Sequence, residues 1–141
     1  MENQPNLMGI ITRPGFRSMF YLLDASGNLN TDKIMSIKEP LPIKGTIEDK
    51  FGISDFEGII NGSKISFTKK YQEGNATRQA YPGAIVFIGK LTDEHSFGGT
   101  YARSDNVKGE FFMTKYHPGS IMDNDVLIFR GQLRKAILSG I

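Results

Sequence analysis

FEGIINGSKISFTKKY, residues 56–71, is the stretch that decides the fold. Apolar and polar residues alternate along both of its arms, and Asn61-Gly62 lies between them. Alternation with a period of two is the signature of a half-buried strand, and Asn-Gly favours a tight hairpin turn. The stretch therefore predicts a β-hairpin. In its second arm Ile65, Phe67, Lys69 and Tyr71 fall on one face, because successive strand residues point to opposite sides. A lysine is thus in register with side chains that belong in a core.

The same grammar extends in both directions. Breaker residues recur at 13–15, 24–28, 39–42, 61–62, 73–75, 104–106 and 117–119, and the runs between them are short and rich in Ile, Phe, Tyr, Val and Thr. Strands are expected at 16–23, 33–38, 43–50, 53–60, 64–71, 77–91, 96–103 and 108–115. Pro82-Gly83 inside 77–91 predicts a bend or bulge. Eight short strands joined sequentially predict an all-β, antiparallel up-and-down barrel, whose closure removes exposed sheet edges. Residues 1–15 read as an N-terminal extension, 16–116 as the barrel and 121–141 as a C-terminal helix or tail. In that last segment Val126, Phe129, Leu133 and Ile137 form a helical stripe behind Asp123 or Asn124 as cap. A final strand over 126–130 followed by a short helix is the competing reading.

The chain of 141 residues fits one domain. Its 17 basic and 15 acidic residues leave a net charge of +2, so charge alone argues for neither nucleic acid nor membrane. The absence of cysteine excludes disulfides, thiolate metal sites and a cysteine nucleophile. The first fifteen residues lack the basic start and apolar run of a secretory signal. No stretch approaches the roughly 18–20 apolar residues of a membrane helix. A soluble, cytoplasmic protein is the expectation.

Catalytic motifs are missing. His95 and His117 sit in turn-like segments without ligand spacing, so no metal is expected. There is no GxSxG elbow, dinucleotide fingerprint or P-loop. Glu48-Asp49 and Asp93-Glu94 are adjacent pairs, and adjacent strand residues face apart, so neither forms an acid/base couple. No cofactor is expected, and an enzyme using a Tyr or Lys inside the barrel is a minor alternative.

Register points to a binding site. If the apolar faces turn inward, Lys69, Gln79, Arg103 and Lys115 turn inward with them. Hairpin reversal then sends Lys69, Tyr71, Gln79, Tyr81, Tyr101 and Arg103 to one mouth. Lys115 falls at the opposite end, with Leu91, Phe97 and Met113. A few polar groups converging above an apolar floor of Phe67, Phe87 and Phe111 is how small-molecule sites are built. Arg103 offers a fork that suits a carboxylate or phosphate.

The segments FEGIINGSKISFTKKY, AYPGAI and FGGTYARSDNVKGEFFMTK resemble lipocalin-like barrels of the calycin kind, including avidin-like domains, over residues 43–115. The shared feature is a G-x-Y strand, a turn and a G-x-F-x-M strand. The resemblance implies a small barrel that binds a small molecule inside. This chain departs from it in having no tryptophan, hence neither a lipocalin-type G-x-W nor the tryptophans of a biotin pocket. The expected function is non-catalytic binding of a small, anionic or aromatic molecule at one mouth. The alternative is a filled barrel acting as a protein-interaction or self-association module, with a homo-oligomer contact through Leu127, Ile128 and Leu138 of the C-terminal segment. No nucleic-acid or membrane partner is expected.

Overall fold

Eight antiparallel strands close on themselves in chain order. They are β1 (Leu7–Arg13), β2 (Phe16–Ser26), β3 (Leu41–Asp49), β4 (Gly52–Asn61), β5 (Lys64–Ala76), β6 (Ile85–Asp93), β7 (Ser96–Arg103) and β8 (Lys108–Lys115). The computed structural model describes residues 6–13, 16–26, 29 and 31–115. The C-terminal helix or tail expected over 121–141, with the 126–130 alternative, lies outside the described residues, as does His117. β1 pairs with both β2 and β8, from Leu7 opposite Lys115 to Thr12 opposite Glu110, and this last ladder closes the barrel.

The opening hairpin forms β4 and β5, with Asn61 opposite Lys64. Gly62, the first of the two loop residues, has a positive φ of 63°. That is the left-handed conformation such a turn requires. Inward residues follow the expected period of two. In β5 Ile65, Phe67 and Lys69 are buried while Lys64, Thr68 and Lys70 are exposed.

Three strand assignments change. Residues 7–13, read above as part of an extension, form β1. Alternation is blurred there because both faces are covered. Leu7 and Ile11 join the main core, whereas Met8 packs with Leu22, its partner across the ladder, in a separate buried cluster. Residues 33–38 are not a strand, because Thr31–Ser36 form a 3₁₀ helix, η1. Its bond from the Ile37 N–H to the Ile34 carbonyl spans three residues, and Ile34 is fully buried while Met35 is exposed.

The third change concerns 72–91. The expected turn at 73–75 lies inside β5. Gly52 pairs with Ala76 and Ser54 with Tyr71, so two steps on β4 oppose five on β5. The surplus is a bulge. Gly74 absorbs it with a positive φ of 83°. The strand expected over 77–91 begins only at Ile85, and residues 77–84 form a connection tied down by the Thr77 N–H to the Phe51 carbonyl at 2.7 Å.

The two ends of the barrel differ. η1 belongs to the β2–β3 connection, and Ile34 joins the core cluster, against which Leu29, Ile37 and Leu41 also pack. Phe97 and Met113, expected at this end, are fully buried below it. Mid-barrel is filled by rings. Phe67 stacks on Phe87 with centroids 4.6 Å apart. Phe56 meets Phe67 edge-on at 5.5 Å. Phe111 does so at 6.2 Å. Both arrangements are preferred geometries for aromatic pairs. Lys115 ends β8 at this same end, as its register requires.

Candidate ligand-binding mouth

The opposite end is open. A cavity of about 300 Å³ is lined by all six residues expected there, Lys69, Tyr71, Gln79, Tyr81, Tyr101 and Arg103. Lys69, Tyr71, Tyr101 and Arg103 arrive by strand register. Gln79 and Tyr81 arrive instead on the 77–84 connection, so their place owes nothing to strand phase. Phe87 lines the cavity, but Phe67 and Phe111 do not. They support it from the ring layer, where Phe111 meets Phe87 at 5.2 Å. The rest of the wall is mainly apolar, from Ile11, Met19, Phe51 and Ile85, with Arg13 beside them.

The central polar group of this end lies outside the sequence expectations. Asp49, the last residue of β3, is wholly buried. Its Oδ2 accepts from Lys69 Nζ at 2.5 Å and from the Tyr71 hydroxyl at 2.7 Å, and its Oδ1 accepts from the Phe51 N–H at 2.9 Å. Lys69 Nζ also donates to the Tyr71 oxygen at 3.1 Å. Lys69 is 3% exposed, so the unit is a buried ion pair satisfied by a phenol and a backbone amide. Sequence held the signal. Asp49 is one further step along the face of Ile43, Gly45 and Ile47, but considering it only against Glu48 hid it. Arg13 was missed with β1.

Arg103 sits at the rim. Its guanidinium lies 4.1 Å over the Tyr81 ring, a cation–π contact. Nε donates to Asp105 Oδ1 at 3.1 Å and Nη2 to Oδ2 at 2.5 Å. This pairing holds the Asp105 carboxyl below the usual carboxylate range. The Tyr81 hydroxyl is hydrogen-bonded to Ser104 Oγ, which fixes the ring beneath the arginine.

Three tyrosines have their pKa raised. Burial, then the Asp49 charge and its hydrogen bond, pushes Tyr71 far up, against a smaller opposing pull from Arg103. Burial alone raises Tyr21, whose hydroxyl donates to the Phe112 carbonyl at 3.3 Å. Burial also raises Tyr101, opposed by Arg13 and Arg103. A folded-state value above the unfolded one means stability that is complete below the ordinary tyrosine pKa, near about 10, and lost above it. Tyr21 and Tyr71 should each lower stability by about 1.4 kcal/mol per pH unit in that range. On alkaline titration, tyrosinate absorbance should fall short by Tyr21 and Tyr71, two of the five tyrosines, until the chain unfolds. A full tyrosinate step with the β-sheet circular dichroism intact would contradict this.

Among the described residues no group of three His, Cys, Asp or Glu side chains could hold a metal ion. The His95 N–H donates to Asp93 Oδ1 at 2.9 Å, and its ring lies 3.3 Å from Glu94, as suits a turn. No helix among the described residues is long and apolar enough to cross a membrane.

No family model, no curated protein and no solved structure matches this chain.

Proposed function

We propose that the open mouth binds a small aromatic molecule, without chemistry on it in the simplest case. The observation that carries this reading is the cavity itself. Its volume is about 300 Å³. That is at the lower end of the range for small-molecule sites, and an apolar wall with a few convergent polar groups is their usual construction. Aromatic chemistry is favoured over anionic chemistry by the charge pairing. Lys69 already faces Asp49 and Arg103 already faces Asp105. A ligand carboxylate therefore has to compete for Arg103, whereas a ring needs only Phe87, Tyr101 and the Tyr81–Arg103 stack. The calycin-like resemblance supports the same reading through its antiparallel closed barrel, and goes no further than that. A cavity at the mouth also weighs against the filled-barrel alternative, since the ring layer fills only the part beneath it.

The test is calorimetric titration of trans-cinnamyl alcohol and trans-cinnamate into wild type and Ile85→Trp. Ile85 lines the cavity and is 7% exposed, so the larger ring fills the space. Binding of the alcohol to wild type, lost in Ile85→Trp with the circular dichroism unchanged, is the expected result. Cinnamate should bind more weakly than the alcohol. No heat with either probe, or equal binding by both proteins, would overturn the reading.

A further inference from the structure

We propose that Lys69 forms a reversible imine with an aldehyde group on an aromatic ligand held in the mouth. This rests on the binding reading above and adds the reactive class of the ligand. A primary amine is rarely buried, because removing its charge from water is costly without a partner. Lys69 is 3% exposed and also lines the cavity, so an aldehyde seated there would lie against this buried amine's side chain.

Asp49 makes the reaction compatible with the fold. It takes one proton from the Lys69 ammonium, and the freed nitrogen bonds to the carbonyl carbon. The former carbonyl oxygen takes the proton that Asp49 holds and then one more from the nitrogen, relayed by Asp49, and leaves as water. The product C=N nitrogen keeps one N–H and the single positive charge. The buried carboxylate thus faces a cation before and after, and no unpaired charge is left inside. The surviving N–H has Asp49 Oδ2 as acceptor, the atom now 2.5 Å from Nζ. Tyr71 continues to donate to Asp49 at 2.7 Å, and its oxygen, relieved of the Lys69 bond, is free to accept from the departing water. Lys70, next in sequence, faces outward and is exposed, so an imine there meets bulk water.

The experiment treats the whole chain at neutral pH with trans-cinnamaldehyde, reduces with cyanoborohydride and maps adducts by peptide mass. Cinnamyl alcohol, which has the same skeleton and no carbonyl, is the competitor. Labelling of Lys69 about tenfold above Lys70, suppressed by the alcohol, is expected, as positioning at the nitrogen replaces random encounter. Lys69→Arg keeps a cation for Asp49 and should lose the selective adduct while Lys70 labelling stays. Labelling that follows exposure, with Lys70 above Lys69, overturns the inference. If the alcohol binds and Lys69 is not trapped, the imine fails and the binding reading stands. If the alcohol does not bind, both fail. The Lys69 to Lys70 ratio in wild type decides the matter without any variant.

Discussion

Asp49→Ala should cost about 3–5 kcal/mol of folding stability, the usual penalty for removing one partner of a buried ion pair. The loss exceeds the value of the bond itself. It strands the Lys69 ammonium in a site where it is 3% exposed, takes the acceptor from the Tyr71 hydroxyl, and leaves the Phe51 N–H without its 2.9 Å partner. Desolvated groups without partners carry the penalty, so removing both charges together should be far milder. Asp49→Leu combined with Lys69→Met should therefore recover most of the stability. Urea unfolding followed by circular dichroism measures all of these proteins. An Asp49→Ala loss under about 1 kcal/mol, typical of an exposed pair, would show that water reaches the pair.

The second large effect lies one layer down. Phe67→Ala should cost about 3–5 kcal/mol through lost transfer energy and the void left behind. Phe67 is 2% exposed and touches Phe56, Phe87 and Phe111, three rings from three other strands. Antiparallel ladders hold those strands at fixed spacing, so the void cannot collapse fully. Phe112→Ala is the matched control, since Phe112 is 43% exposed on the outer face. Truncating it should change stability by at most about 0.5 kcal/mol, as for other surface substitutions. Equal losses from the two would mean that the ring layer does not hold the barrel together.

The barrel was legible in the sequence because most inner faces alternate with watered outer ones. That contrast fails at β1, where Met8 and Leu22 bury the outer face too, so Leu7–Arg13 reads as a mere apolar run. It misleads at Thr31–Ser36, where Ile34 and Ile37, three apart, mark a 3₁₀ turn and not a strand. Turn chemistry also has two uses. The same kind of residues that reverse the chain at Asn61-Gly62 make a bulge at Glu73-Gly74-Asn75, because the ladder with β4 resumes at Ala76. At the mouth, local register sufficed for Lys69, Tyr71, Tyr101 and Arg103. Asp49 needed a partner across space, twenty residues away, and that pairing is not a local property. Gln79 and Tyr81 reached the same end on a connection whose path no periodicity encodes.

The stack of Arg103 on Tyr81 would give the proposed site a kinetic character. In the binding reading proposed above, residence time is set at that threshold, while Phe87 and the apolar wall decide what fits.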